Sequence, residues 1–300
     1  MSGGGIDILF ESKNYFYLGN YQGTINDINK KSKQIADKGL KNEADYYLYR
    51  SYIAQGNYDI VLSEIRNSES SPILQGLRLY ASYLSSPSQN KDIALLTAKE
   101  WIKDGMVQFN YNLQVIVASL FYQEQDYEEA LRLLNNCDYI EGLSLLVQIY
   151  LKIDRVDLAE KAYNLMKGID IDATPSILAL AWIQIAQGEE KIKSAYACFE
   201  ELAEKYGPTP LLLNGQAVAA ISMRRFDKAE TLLLESIEKD SKNPDTIANL
   251  ISCFINMKKP VEVIDRYLNL LRTISPKHDW MNAVSEAEDA FQRSKSRYGH

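Results

Sequence analysis

The fold is decided by a short segment that reads Gln-Asp-Tyr-Glu-Glu-Ala-Leu-Arg-Leu-Leu between residues 125 and 134. The segment contains an aromatic residue, Tyr127, a small residue three positions later, Ala130, and a larger apolar residue, Leu134, four positions after that. This spacing places all three side chains on one face of a helix. Because Gln125 and Asp126 are typical of a tight turn, the segment predicts a turn that leads into an amphipathic helix.

The same register recurs along the whole chain. Val156, Ala159 and Tyr163 repeat it, and Phe226, Ala229 and Leu233 repeat it again. The position of the small residue falls at 24, 61, 94, 130, 159, 195, 229 and 263, with the weakest matches at 24 and 94. The spacings run from 29 to 37 residues and average about 34, which is the period of the tetratricopeptide helix-turn-helix repeat.

The physical basis of the register is close packing between helices. The small residue lets the second helix of each repeat approach the first, and the larger residue fills the groove towards the next repeat. A single hairpin cannot bury these faces, whereas stacked hairpins can. The sequence therefore predicts an all-α, tetratricopeptide-type hairpin solenoid, curled and irregular, with about eight repeats.

We expect the chain to be one solenoid over residues 1–300, with a flexible tail over 1–6 and hairpin repeats over 7–272. The segment Gly188–Lys191 lengthens one repeat, so the curvature should change there. Residues 279–298 predict a capping helix whose apolar stripe faces the array, as terminal repeats require. The stripe consists of Trp280, Val284, Ala287 and Phe291.

Composition excludes several classes of protein. The net charge of −7 disfavours binding of duplex nucleic acid and direct binding to anionic lipid. Apolar runs are far shorter than the roughly 20 residues that span a bilayer. The cysteines, Cys137, Cys198 and Cys253, are odd in number and widely spaced, which indicates buried, reduced thiols in a cytosolic protein.

The residues that carry chemistry are sparse. The two histidines are His278 and His300, too few for a histidine-based zinc site or a nucleophile-base pair. The glycine run at 3–5 lacks the lysine of a phosphate-binding loop. We therefore predict no enzyme and no catalytic, cofactor or metal site; a cryptic helical hydrolase would need carboxylates or a histidine converging in a pocket.

A helical-repeat array presents its first helices along a concave groove, and the register projects a set of side chains into that groove. Tyrosine, tryptophan and arginine often anchor interfaces, although some of these side chains could merely pack between neighbouring helices. Glu43, Glu141 and Asp245 fall at the groove edge, which argues against an acidic peptide tail as the ligand. The predicted partner-binding residues are Tyr46, Arg50, Tyr83, Ser119, Tyr122, Gln148, Trp182, Asn214 and Val218.

Five stretches of the chain, taken in order, resemble the epsilon-subunit family of coatomer, the coat of COPI vesicles. They extend over almost the whole chain, and the ordered series is more specific than any one of them. The Gly-rich start and the Ser/Pro-containing loops match least. The stretches are Lys13–Gln22, Leu48–Gln55, Val147–Arg155, Leu211–Ala217 and Pro244–Ile251.

The resemblance implies a structural role. Members of this family bind the C-terminal region of the coatomer alpha subunit, around which their repeats are thought to curl like a bracelet, and they contact other coatomer subunits only indirectly. The implied setting is the cytoplasmic side of Golgi membranes and COPI vesicles, with membrane association only through the coat. The implied processes are Golgi-to-ER retrograde and intra-Golgi transport. The expected partners include no nucleic acid, and no cofactor is expected.

The residues alone also allow a peptide-binding adaptor or co-chaperone of the tetratricopeptide type. Such a protein would bind short extended peptides in its groove, whereas a coat subunit would fold around one obligate partner.

Overall fold

The structure is a computed structural model that describes residues 7–35, 37–66 and 71–298. The predicted tail over 1–6 lies outside these residues. Within them the chain forms helices and no strand, as the repeat period predicts. The chain divides into two compact units, Met1–Gln187 and Gly188–His300, and the boundary falls at the lengthened turn Gly188–Lys191.

Unit 1 contains five helical hairpins followed by a single helix. In each hairpin the odd-numbered helix comes first. The helices are α1 (Phe10–Tyr17), α2 (Tyr21–Lys31), α3 (Lys38–Ala54), α4 (Tyr58–Glu64), α5 (Pro72–Ser85), α6 (Pro87–Lys103), α7 (Tyr111–Gln123), α8 (Tyr127–Leu134), α9 (Ile140–Lys152), α10 (Val156–Ile169) and α11 (Thr174–Gln187).

Unit 2 begins with a single helix, continues with two hairpins and ends with a long helix. Its helices are α12 (Lys191–Tyr206), α13 (Pro210–Ser222), α14 (Phe226–Lys239), α15 (Pro244–Asn256), α16 (Val261–Ile274) and α17 (Asp279–Tyr298).

Six hairpin turns share one backbone device, a residue with left-handed φ at the second position after the first helix. The N–H of the following residue then donates to a carbonyl five positions back, as Asn57 does to Tyr52 at 2.9 Å and Arg225 to Ala220 at 2.8 Å. This bond satisfies carbonyls at the helix end and reverses the chain. Glycine occupies the left-handed position twice, and other residues occupy it four times: Gly19, Gly56, Gln125, Asp154, Arg224 and Lys258.

The repeat register is confirmed at seven of its eight small positions. Each of these side chains is at most 1% exposed, so the second helix of each repeat approaches its neighbours at the predicted point. The seven residues are Thr24, Val61, Ala94, Ala130, Ala159, Ala195 and Ala229.

The register is wrong at the eighth position. Val263 is 37% exposed, whereas the next residue, Ile264, packs against the core of unit 2. The turn before α16 contains one residue more than the turn before α14, because Pro260 follows Lys259 and caps the helix. The marker lies three residues after the first helical residue in α14, and the same count from Val261 in α16 gives Ile264.

The core of each unit is formed by the helices that have neighbours on both sides. In α7 the fully buried side chains include Leu113 and Phe121, and in α13 they include Leu212 and Ala217. Burial of a large apolar side chain contributes about 1.5–3 kcal/mol, so these helices hold the hairpins of their own unit together. Both units are therefore stabilised by contacts between successive helices, as a repeat array requires.

The last helix departs from the predicted cap. No residue of α17 is buried, and Phe291 on its apolar stripe is 66% exposed. Only the first turn is anchored, where Trp280 packs against the preceding helices and donates from Nε1 to Ser252 Oγ at 3.0 Å. The stripe predicted to face the array is therefore largely uncovered in this structure.

Candidate protein-binding site

Two predicted groove residues, Tyr46 and Arg50, contact the carboxylate of Glu141 in a distant repeat. Tyr46 and Arg50 lie one helical turn apart on α3, so they project from the same face. The Tyr46 hydroxyl donates to Glu141 Oε2 at 3.2 Å, and the Arg50 guanidinium forms an ion pair with Glu141 Oε1. Glu141 stands in the first turn of α9. The bridge therefore joins the first helix of the second hairpin to the first helix of the fifth.

Aromatic rings enclose the Arg50 guanidinium. Its central carbon lies 4.5 Å from the ring centroid of Phe16 on α1 and 4.6 Å from that of Tyr46. A cation over an aromatic face is attracted by the ring quadrupole, more strongly where water is excluded. Arg50 therefore connects α1, α3 and α9 at one point.

The electrostatics of the bridge follow from burial and from charge. Burial alone would lower the pKa of Arg50, but the negative charge of Glu141 raises that pKa above the ordinary arginine value. Burial raises the pKa of Tyr46 well above that of a free tyrosine, so the phenol stays protonated and donates. A partly buried charge without its partner is costly, so the bridge favours the arrangement in which α3 and α9 stay together.

A second set of contacts closes unit 1 at its two ends. Thr174, the first residue of α11, donates from Oγ1 to Asn14 Oδ1 on α1 at 2.7 Å, and both side chains are buried. The hydroxyls of Tyr17 and Tyr47 lie 2.7 Å apart, so α1 is also tied to α3. The first helix of unit 1 thus contacts the last. We call the contacts of Asn14–Thr174 and Arg50–Glu141 the closure contacts.

The acidic residues assigned to the groove edge are all engaged within the chain. Glu141 accepts from Arg50 and Tyr46, Glu43 forms an ion pair with Lys13 at 2.7 Å, and Asp245 lies 3.0 Å from His278 Nε2.

Two further predicted residues of unit 1 use their hydroxyls within the unit. Tyr83 is buried, and its hydroxyl donates to Glu124 Oε1 at 2.5 Å. Ser119 donates to the Val115 carbonyl of its own helix at 2.7 Å.

The remaining predicted residues of unit 1, Tyr122, Gln148 and Trp182, are half-buried on α7, α9 and α11. The Tyr122 ring lies 5.8 Å from that of Tyr127. These three side chains retain surface that a partner could contact.

In unit 2, Asn214 is the centre of a buried polar network. Its side-chain amide donates to the Pro210 carbonyl and to Thr246 Oγ1, both at 2.7 Å. Its carbonyl accepts from Asn249 at 2.9 Å, and Ser236 Oγ lies 2.9 Å from Thr246 Oγ1. The network joins α13, α14 and α15. The other predicted residue of this unit, Val218, is half-buried on α13.

Sequence reasoning missed an exposed aromatic site at the turn between α6 and α7. Phe109 is 86% exposed, and the nearby Tyr111 stacks on Tyr139 with ring centroids 4.6 Å apart. Tyr139 in turn donates to Gln114 Oε1 at 3.1 Å. Exposed aromatic clusters are typical of protein interfaces. The available signal was a phenylalanine in a turn without the helical spacing of the core residues.

A cleft adjoins this aromatic site. It has a volume of about 570 Å³, and Ile102, Tyr111, Gln114, Arg132 and Asn136 are among the residues that line it. Cys137 also lines it, and burial, with the charge of Asp138 adding to it, raises the pKa of that thiol to about 11. The Cys137 thiol is therefore protonated and unreactive at neutral pH.

The part of the chain that the structure describes contains neither a candidate metal site nor a candidate membrane span. Among those residues, no group of three histidine, cysteine or carboxylate side chains is placed to hold a metal ion. No helix among them has both the length and the apolar character to cross a bilayer.

Comparison with known proteins gives a consistent family over the whole length. The family model of the coatomer epsilon subunit matches residues 5–299. The chain is 66% identical over 296 residues to coatomer subunit epsilon of Dictyostelium discoideum, covering 97% of this chain and 99% of that protein. It is 42% identical over 294 residues to coatomer subunit epsilon-2 of Arabidopsis thaliana, covering 97% of each.

The fold itself is shared with helical-repeat proteins. The chain is similar to a tetratricopeptide repeat protein from Parabacteroides merdae, with a TM-score of 0.56 and 11% identity over 92% of this chain and 95% of that one. At this identity the similarity concerns the fold alone, and it confirms the all-α tetratricopeptide-type architecture. The match of the family model along the chain, together with the identity to epsilon subunits from an amoeba and a plant, shows that this chain belongs to the coatomer epsilon subunit family.

Proposed function

We propose that this chain is a non-catalytic structural subunit of the COPI coat that binds and stabilises the C-terminal region of the coatomer alpha subunit. The observation that carries the proposal is membership of the epsilon subunit family over residues 5–299. The chain would act in Golgi-to-ER retrograde and intra-Golgi transport, on the cytoplasmic side of Golgi membranes and vesicles. It would reach the membrane only through the assembled coat and other coatomer subunits only indirectly.

The closure contacts suggest how unit 1 would present a surface to that partner. They fix α3 against α9 and α1 against α11 through contacts made within the chain itself. A preorganised surface loses less conformational entropy on binding. We assign the contact surface to the half-buried side chains of Tyr122, Gln148 and Trp182, which lie on α7, α9 and α11.

Co-expression with a tagged C-terminal fragment of the alpha subunit tests the proposal. We expect the two chains to co-purify and to remain together in a high-salt wash, because a large apolar interface is insensitive to screening. Gln148→Arg should weaken the complex, whereas the matched control Lys161→Glu, at an exposed position of α10, should not.

Two results would contradict the proposal. One is separate elution of this chain and the alpha fragment in gel filtration when both are folded. The other is selective binding of short extended peptides without binding of the alpha fragment, which would favour the adaptor or co-chaperone alternative.

A further inference from the structure

The last helix carries a surface that unit 2 leaves uncovered. After its anchored first turn, α17 continues to Tyr298 without a buried residue. Phe291 is 66% exposed and Tyr298 is 86% exposed. A helix of 20 residues is about 30 Å long, so the uncovered part is long enough to pair with another helix.

The spacing of the stripe is that of a coiled-coil seam. Ser294 and Tyr298 extend the stripe in the same register, so its positions become 280, 284, 287, 291, 294 and 298, separated alternately by four and three residues. This alternation keeps the side chains on one narrow face over several turns. The single polar member is Ser294, so the seam is apolar at its other five positions.

The pattern also has an internal symmetry. The spacing reads the same in both directions about Asp289, so an antiparallel copy would place Phe291 opposite Ala287 and Val284 opposite Ser294. In these two inner pairs a larger side chain would face a smaller one, an arrangement that interdigitates without overpacking. Tyr298 of the copy would reach the level of Trp280.

The charges of α17 are divided between its two halves. All its acidic residues, Asp279, Glu286, Glu288 and Asp289, precede Phe291, and all its basic residues, Arg293, Lys295 and Arg297, follow it. In an antiparallel pair the acidic half of one helix faces the basic half of the other at both ends. A parallel pair would instead bring like charges together, which is unfavourable.

We propose that α17 is a self-association site, on which a second copy of this chain docks its own α17 in antiparallel orientation about a two-fold axis. The contact is isologous, so it closes at two copies and does not propagate into a filament. A single pair of helices buries little surface, so the dimer is weak and forms at high local concentration. In an assembled coat such a contact would join two epsilon subunits.

Sedimentation velocity of the full chain over roughly a hundredfold range of concentration tests this proposal. We expect the average mass to rise from that of the monomer towards twice that value, and to rise less at high salt. Phe291→Asp should abolish the rise. Ser296→Asp, which adds the same charge on the opposite face of the helix, should retain it, and circular dichroism should show equal helicity in both variants.

A charge-exchange experiment identifies the partner as a second copy. The variant Arg293→Glu, Lys295→Glu, Arg297→Glu makes α17 wholly acidic, and the variant Glu286→Lys, Glu288→Lys, Asp289→Lys makes it predominantly basic. We expect each alone to dissociate at least about tenfold more readily than the wild type. Mixed in equal amounts, the two variants should form a heterodimer.

A wild-type chain that stays monomeric throughout the range, or mixed variants that fail to pair, would overturn the proposal. If Phe291→Asp instead reduced only the co-purification of the alpha fragment, the occupant of this face would be the alpha subunit and self-association would be wrong. Binding of the alpha fragment is measured separately, so failure of this inference leaves the proposed function standing.

Discussion

Thr174 donates a 2.7 Å hydrogen bond to Asn14 across 160 positions of sequence. The bond links the first and last helices of unit 1, and both side chains are buried. With the ion pair of Arg50 and Glu141, it makes unit 1 a closed set of helices, in which the ends of the repeat series contact each other as well as their neighbours.

Thr174→Val should destabilise unit 1. The substitution keeps the volume of the side chain but removes the donor to the buried side-chain Oδ1 of Asn14. Leaving this acceptor buried without its donor costs about 1–3 kcal/mol. Urea unfolding followed by circular dichroism measures the change. Thr231→Val is the matched control, because Thr231 is exposed and its hydroxyl donates only within its own helix. Equal effects of the two substitutions would contradict the closure of α1 on α11.

The packing of second helices predicts a strong effect at Ala229. This residue is fully buried, so Ala229→Phe should overpack the hairpin of α13 and α14 and cost about 1–3 kcal/mol. Thermal unfolding of the full chain reports the loss. An unchanged melting temperature would show that the register of this repeat is wrong.

The corrected register of α16 predicts that substitutions at Val263 and Ile264 differ in their effect on stability. Val263→Ala should change the free energy of unfolding by about 0.5 kcal/mol or less, because the side chain is partly in solvent. Ile264→Ala should cost more, about 1–3 kcal/mol, because Ile264 packs on the core of unit 2. If Val263→Ala proved the more damaging of the two, the inserted Pro260 would not shift the register.

At the left-handed turn positions, replacing a glycine and introducing a glycine should change the stability of the protein in opposite directions. Gly56 has φ +75° and Arg224 has φ +59°, a region that costs a side-chain-bearing residue roughly 1 kcal/mol or more. Gly56→Ala should therefore destabilise the protein, and Arg224→Gly should stabilise it by about 0.5–1 kcal/mol. Denaturant midpoints of the two variants check the signs, and two changes of the same sign would refute the shared turn geometry.

Thiol reactivity should depend steeply on pH. Burial, with nearby carboxylates adding to it, raises the pKa of Cys137 and of Cys198 from 9.0 to about 11. At pH 8 this higher pKa makes the thiolate fraction about a hundredfold smaller than that of a thiol with the ordinary pKa. The thiolate is the form that reacts with an alkylating reagent. Alkylation of the folded chain should accelerate with rising pH up to about pH 11 and should be fast at pH 8 in urea. A plateau near pH 9 in the folded protein would contradict the burial of these thiols.

The sequence was informative wherever local spacing determines packing. A small residue three positions after an aromatic or apolar one marks a close helix approach at Ala130, Ala159 and Ala229, and all three are buried. The same reasoning failed at Val263, because one added residue in a turn rotates the following helix by about 100°.

The closure contacts could not be predicted in the same way. Helical periodicity places Tyr46 and Arg50 on an inward face, but nothing in it pairs them with Glu141, 91 positions beyond Arg50. That pairing depends on the curvature summed over several hairpins. The uncovered stripe of α17 has a related cause, since spacing identifies an apolar face but does not identify what covers it.

A double-mutant cycle on Arg50 and Glu141 tests the closure of unit 1 most directly. The free energies of unfolding of Arg50→Ala, Glu141→Ala and the double variant give the coupling energy between α3 and α9. The closed arrangement predicts a coupling of about 1–3 kcal/mol, with the double variant less destabilised than the sum of the single variants. Strictly additive effects, with no coupling energy, would contradict it.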